Sequence, residues 1–345
     1  MRSPLSGNMS MSGSRYFRDL FFLLCACLPL IIGCQGKQES FPPVNRTLVS
    51  LGTFVEIEIR NAKPDKANAA IDSAFVEVRR INDEYSPFNE EGPLWKINHG
   101  TEPSVPITEE LRYLLTVSDS IHKATSGAFD PTVEPLISLW KVWGEEAFIP
   151  TDSAIQAAKA FCGWDKLDFS DDLILKREPG VMFSFGAIAK GYAVDRVVAI
   201  LEQQGIRQAL INAGGDIRVM GENWPVGIQH PSLPEEILRT ITISNSAVAT
   251  SGDYMQFHEE KGKRYHHILD PATGYPAVGC RSVTIVAPTC IEADAYATGV
   301  FVLGPNKGMN LVNRTPGMEA MIVDSSENIL YSADFNQYLR EISSD

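Results

Sequence analysis

Apolar positions along the chain change period several times, and each change predicts an element. In "FVEIEIR" Val55, Ile57 and Ile59 alternate with charged residues, which is the two-residue period of a half-buried strand. From 65 to 82 the period becomes helical, with Ala67, Ile71, Ala74, Phe75, Val78 and Ile81 on one face. Thr108 followed by Glu109 and Glu110 opens a second helix that runs through Leu111, Leu114, Leu115 and Ile121 and closes near Gly127. A third is expected from Ser153 to Phe161. Strands are predicted at 173–176, 181–185, 208–212, 216–220, 237–243, 282–287 and 319–323, with helices at 188–203 and 292–303 among them. Runs of neighbouring strands with helices at irregular intervals indicate an α+β domain and not a strictly alternating doubly wound one. No repeat and no internal break divides it.

Composition narrows the class. About 44% apolar residues over 345 positions are enough to bury one large core or two modest ones. A formal charge of −13 argues against a polyanion as the main partner, so no nucleic-acid role is expected. The N-terminus is different in kind. Arg2, Arg15 and Arg18 precede the apolar run "LFFLLCACLPLIIGC", which is short for a membrane span and suited to a secretion signal over 1–33. Its end, "IIGC", resembles a bacterial lipobox, which makes Cys34 the expected lipidation site; an uncleaved anchor with an incidental cysteine is the alternative. Either way the chain is expected outside the cytoplasm and tethered to a membrane, on the periplasmic side and most simply at the inner membrane. Residues 34–45 then read as a polar linker, and the domain as 46–340. Cys162, Cys280 and Cys290 remain in it, an odd number that forms no complete disulfide framework, although a Cys280–Cys290 bridge is conceivable.

Four stretches are candidates for chemistry, and each has a plainer reading. In "SGAFDPTVEPL" (126–136) small residues allow backbone to approach a ligand, or simply join a helix to a loop. In "FSFGAIAKGYAVD" (183–195) Gly186 and Lys190 sit where a helix begins, an arrangement that suits a phosphate and equally suits a surface lysine. It is not a Walker loop. "INAGGDIRVMG" (211–221) reads as a tight turn at Gly214 and Gly215, with Asp216 hydrogen-bonding into it. In "CIEADAYATGVFVLG" (290–304) Asp294 and Thr298 are four apart and share a helix face, where two oxygen donors suit Mg²⁺, or where Asp294 serves only the helix dipole. "RYHHILDPATGYP" (264–276) adds two histidines before an Asp-Pro turn.

Taken in order, "LGTFVEI", "GAFDPTV", "FGAIAKGYAVD", "INAGGDI", "TSGDY", "HHILDPATGYP" and "EADAYATGVFVLG" resemble the successive motifs of the ApbE family, the FAD:protein FMN transferases, over about 46–335. The resemblance implies a single domain of mixed, mostly antiparallel sheets flanked by helices. It also implies a magnesium-dependent enzyme that moves the FMN half of FAD onto a threonine or serine hydroxyl of another protein and releases AMP. Carried over by motif, Asp294, Thr298 and the Ala187 carbonyl would hold Mg²⁺, Lys190 would contact the FAD phosphates, and His267 would be the base for the incoming hydroxyl. Leu51, Phe88, the backbone of Ala128, Phe129 and Asp130, and Ile268 would contact FAD. Histidine suits a base because its ordinary pKa of ~6.5 leaves it largely neutral near pH 7. His266 has no counterpart in the motif and reads as a strand residue on the opposite face, and Asp270 as the turn that aims His267. The chain departs from the family at Ser184, where an Asp that helps bind FAD is common, at Leu51, where Met is usual, and at Ala272, where Arg is frequent. Expected acceptors are subunits of Rnf-type or sodium-pumping quinone reductase complexes, or other exported flavoproteins, since the chain has no acceptor motif of its own. A second functional class, binding or hydrolysis of FAD to FMN and AMP without a protein acceptor, uses the same groups with water as nucleophile.

Overall fold

A computed structural model describes residues 41–141, 148–170 and 172–339. The expected signal segment and Cys34 lie outside these residues, and among the described ones no helix is long and apolar enough to cross a membrane. One eight-stranded sheet organises the fold. Its strands are β1 Val44–Ser50, β2 Thr53–Ile59, β3 Ala209–Ala213, β4 Asp216–Met220, β5 Ala247–Gly252, β6 Cys280–Ala287, β7 Glu319–Asp324 and β8 Ile329–Tyr331. They lie side by side in chain order, each antiparallel to the next. The sheet is therefore a meander into which the other elements are inserted. The strand β1 opens at Val44 and takes in the last residues of the stretch expected to be linker.

The largest insertion separates β2 from β3. It carries α1 Pro64–Tyr85, α2 Pro93–His99, α3 Glu109–Ala124, α4 Glu134–Trp140, α5 Asp152–Lys159 and α6 Ala189–Gln203, with a three-stranded sheet of Ser104–Pro106, Leu173–Lys176 and Leu167–Phe169. Between β6 and β7 come α7 Cys290–Leu303 and α8 Pro305–Val312. Both faces of the sheet are covered, and the strands show it residue by residue. On β7, Ala320 and Ile322 join the main core with α1, α6 and α7, whereas Met321 between them faces a second core. That second core is closed by the hairpin Trp224–Gln229 and Ile237–Ile243. A third, small cluster of Leu136, Trp140, Ile155 and Leu269 fastens α4 and α5 to the Asp-Pro turn.

One predicted strand is absent. Residues 181–185 run extended but pair with no strand, because their ladder bonds are made by a side chain. Asn98 on α2 donates to the Phe183 carbonyl at 2.8 Å and accepts from the Phe183 N–H at 3.0 Å, while the Ser184 N–H reaches the Pro131 carbonyl at 2.8 Å. A buried backbone needs partners of some kind, and an asparagine with one donor and one acceptor end supplies both. This strap leads straight into α6.

Candidate active site

The site is built where α6 crosses the N-terminal half of α7. Gly191 allows the crossing: a Cβ there would lie 2.4 Å from the Cys290 carbonyl oxygen and 2.8 Å from Ile291 Cα. Asp195, one turn further along α6, accepts from the Cys290 and Ile291 N–H groups at 2.9 and 3.0 Å and is paired with Arg218. The N-terminus of α7 is thus satisfied by Asp195, together with the Thr289 hydroxyl bonded to Glu292 N–H at 3.4 Å. Asp294 is left free of that duty, which disposes of its plainer reading.

Asp294 instead turns to α6. Its Oδ2 accepts from the Gly191 N–H at 3.1 Å, and both its oxygens lie 3.3 Å from Lys190 Nζ. Lys190 also pairs with Asp216, which is only 3% exposed. Sequence reasoning assigned Asp216 to the glycine turn; the turn is in fact held by Asn212, whose Oδ1 accepts from Gly215 N–H at 2.8 Å. What distinguishes Asp216 is its inward position at the start of β4, beside apolar neighbours. Burial opposes the Lys190 charge, but Asp216 and Asp294 outweigh it and raise its pKa. Burial and the like charge of Asp294 push the Asp216 carboxyl up in turn, against the pull of Lys190. With both carboxyls ionised the cluster carries one negative charge in excess, a setting that attracts a cation.

The remaining oxygens are close by. Thr298, one turn beyond Asp294 on α7, shares a hydrogen bond of 3.1 Å with Ser251 at the end of β5. Ala187 precedes α6, and among the described residues no hydrogen bond ends on its carbonyl, because Gly191 N–H goes to Asp294. A carboxylate, a hydroxyl and an unclaimed carbonyl form a hard-oxygen donor set of the kind magnesium takes.

His267 follows the hairpin Phe257–Glu260 and Lys263–His266. Its backbone N–H and its Nδ1 both point to the Gln256 carbonyl, at 3.1 and 3.2 Å. A carbonyl only accepts, so Nδ1 carries the proton and Nε2 is the ring's open acceptor. Burial pulls its pKa down to about 4, with the charge of Lys190 among the lesser contributors, so the ring is neutral near pH 7 and lies within the field of the cluster. His266 has the opposite fate. It is 5% exposed, its Nε2 donates to the Ala277 carbonyl at 2.9 Å, its Nδ1 accepts from Ile268 N–H at 3.3 Å, and its ring meets Phe301 edge-on. Asp270 is the turn residue, accepting from Ala272 N–H at 2.8 Å. Trp140 and Tyr275 bolt that turn to α4 and α5 through the Gly274 carbonyl and Asp152.

Other expected contact residues are spread around this centre. Leu51 occupies the β1–β2 turn at a φ of 55°, held by Asn82 through its N–H at 3.0 Å. Phe88 is exposed after α1, and Ile268 is buried, with its carbonyl taken by Ala277 N–H. The Phe129 N–H goes to Thr125 and its carbonyl to His122, while the Ala128 N–H goes to the Thr125 carbonyl and the Asp130 carbonyl takes the Val133 N–H, so in this stretch it is the Ala128 carbonyl and the Asp130 N–H that remain for a ligand among the described residues. The Asp130 side chain caps the short turn at Pro131–Val133 through Thr132. Ser184 accepts from Gly186 N–H at 3.2 Å. Cys162, Cys280 and Cys290 are free thiols, so the conceivable bridge is not formed.

An antiparallel α+β domain with a half-buried lysine between two buried carboxylates, hydroxyl and carbonyl oxygens beside it, and a neutral histidine at its edge has the equipment of a phosphoryl-transfer enzyme. The ApbE family matches residues 51–322 of the chain. The chain is similar to the FAD:protein FMN transferase of Vibrio cholerae, 32% identical over 91% of this chain and 97% of that protein, and to that of Escherichia coli K12, 31% identical over 85% and 88%. Its fold is similar to the crystal structure of the ApbE protein from Thermotoga maritima, with a TM-score of 0.80 and 32% identity over 87% of this chain and all of that one. It is also similar to the flavin transferase ApbE from Vibrio cholerae, with a TM-score of 0.78, 28% identity and the same coverage. The chain belongs to the ApbE family.

Proposed function

We infer that the protein transfers FMN from FAD to a hydroxyl group of another protein. The observation that carries this is the juxtaposition of the Lys190 cluster with His267, whose Nδ1 is anchored and whose Nε2 is open. The bond broken is the phosphoanhydride of FAD, and the bond formed joins the FMN phosphorus to the acceptor oxygen. The hydroxyl proton passes to His267 Nε2, and AMP leaves with the anhydride oxygen. Lys190 holds the phosphates, and the neutral state of His267 keeps the base competent without prior deprotonation. Asp294, Thr298 and the Ala187 carbonyl would hold Mg²⁺, a role their oxygen chemistry fits. Bound there, the ion supplies positive charge for the phosphates. Leu51, Phe88, Ala128, Asp130, Ser184 and Ile268 belong to the surrounding FAD site in this reading.

The acceptors proposed are exported flavoproteins, including Rnf-type and sodium-pumping quinone reductase subunits, and the proposed location is the periplasmic face of a membrane, with Cys34 lipidated. The deciding experiment incubates the protein with FAD, Mg²⁺ and such a subunit, then inspects a denaturing gel for fluorescent acceptor. A labelled band that needs Mg²⁺ is expected. Free FMN and AMP without a band would replace transfer by hydrolysis.

A further inference from the structure

A cavity of about 270 Å³ lies apart from the lysine cluster, between α2, the residues after α1 and the start of α4. Phe88, Trp95, His99 and Met182 give it an aromatic and apolar wall, and Glu134 and Ser138 a polar one. The Trp95 and His99 rings stack with centroids 4.3 Å apart, so part of the wall is flat. Glu134 is 7% exposed. Its Oε1 accepts from the Ser138 hydroxyl at 2.8 Å, but its buried Oε2 has no hydrogen-bond partner. Leaving a buried carboxylate oxygen unmatched is unfavourable, and the nearby Ser184 hydroxyl acts on the carboxyl without completing a hydrogen bond to Oε2, so the position favours a further donor.

We propose that Glu134 reads the edge of one ring of FAD: Oε2 accepts from a ring N–H, the flavin imide or the adenine amine, with the aromatic wall against the ring face. The proposal rests on the flavin-transfer reading. Placement agrees with it. Met182 lines the cavity, and the strap that follows it leads directly into α6 and Lys190. Ser184 lies between them, near enough for its hydroxyl to act on the Glu134 carboxyl. A carboxylate at 184 would therefore reach the same part of the cavity as Glu134.

The test is calorimetric titration of the full chain and its variants with FAD, FMN and AMP, with thermal melting alongside. Glu134→Ala should weaken FAD by about tenfold or more, the loss expected for a hydrogen bond to a charged acceptor. It should weaken one of FMN and AMP equally and leave the other unchanged, which identifies the ring. Glu134→Gln, nearly isosteric, should also weaken FAD, by a smaller factor, because a neutral amide oxygen accepts from the ring N–H less strongly than a carboxylate does. Adding Ser184→Asp to Glu134→Ala should restore affinity. Unchanged FAD affinity in Glu134→Gln, or in a Glu134→Ala that melts like wild type, overturns the proposal while leaving transfer intact. A wild-type protein that binds no FAD overturns both.

Discussion

Asp216 and Asp294 are both carboxylates beside apolar neighbours, yet the sequence advertised only one of them. Asp294 shares a helix face with Thr298, a relation visible from spacing alone; Asp216 follows a glycine pair that explains it equally well as part of a turn. The difference is tertiary, since only the crossing of α6 over α7 brings Lys190 between them. The motif puts His267 forward as a candidate base but does not give its protonation state. Because burial lowers its pKa to about 4, the neutral base persists well below pH 6.5, and the acid limb of kcat/KM for FMN transfer should fall near pH 4 to 5. An acid limb centred at pH 6.5 would mean the ring is solvated as an ordinary histidine. Leu51 offers a second residue-scale test. Leu51 and Gly52 form a two-residue hairpin turn with both φ angles positive, 55° and 70°, where Asn-Gly is the favoured pair and a leucine carries about 1 kcal/mol of strain. Leu51→Asn should raise the urea midpoint and weaken FAD binding. A stabilised variant with unaltered FAD affinity would remove Leu51 from the FAD site.

At the scale of elements, α7 explains why the pieces sit where they do. It is buried on all sides, lying over β5 and β6 and against α6, so any polar side chain on it must be satisfied by a neighbour or a ligand. Its contact with α6 depends on Gly191. Gly191→Ala places a methyl against backbone that cannot swing aside, so we expect a loss of about 1–3 kcal/mol and near-complete loss of transfer as Lys190 and Asp294 separate. The reference is Gly186→Ala, where the nearest atom is 3.5 Å away, and whose urea midpoint should match wild type. Equal midpoints for the two variants would show that the helices do not need the close approach. Elements with a strong period were legible, as at α1, α3 and the strand β2, and α6, α7, β4, β6 and β7, buried at most positions, were legible as apolar runs of the right length. The strand Trp224–Gln229 was missed although it alternates strictly, because Pro225 and Gly227 on its outer face read as loop residues, and others that were missed lack a period of their own. The strand β5, "AVATSG", is small and buried almost throughout, and α2 and α4 are too short to establish one. The strap at 181–185 shows the reverse error, a strand-like apolar run whose hydrogen bonds go to Asn98.

For the whole molecule, the histidine pair couples the site to stability. His266 is buried neutral between the Ala277 carbonyl and Phe301 of α7, and burial lowers its pKa to about 4, against about 6.5 when unfolded. Between those values the unfolded chain binds the proton and the folded one does not, so stability is fully present above pH 6.5 and is lost as pH falls toward 4. The effect for His266 is on the order of 3 kcal/mol. His267 adds to it in the same window. The carboxyls of Asp195, Asp216 and Glu134, raised by burial, act in the opposite sense, since they take up protons more readily when folded. Net acid sensitivity therefore does not identify the histidines, but a substitution does. His266→Gln keeps an N–H for the Ala277 carbonyl and has no titrating ring. Its urea midpoint at pH 7.5 should be somewhat below wild type, while its decline between pH 6.5 and 4 should be clearly shallower. Parallel curves for the two proteins would show that His266 carries its charge without penalty, and that the strand end beneath His267 is more open to water than its packing against Phe301 implies.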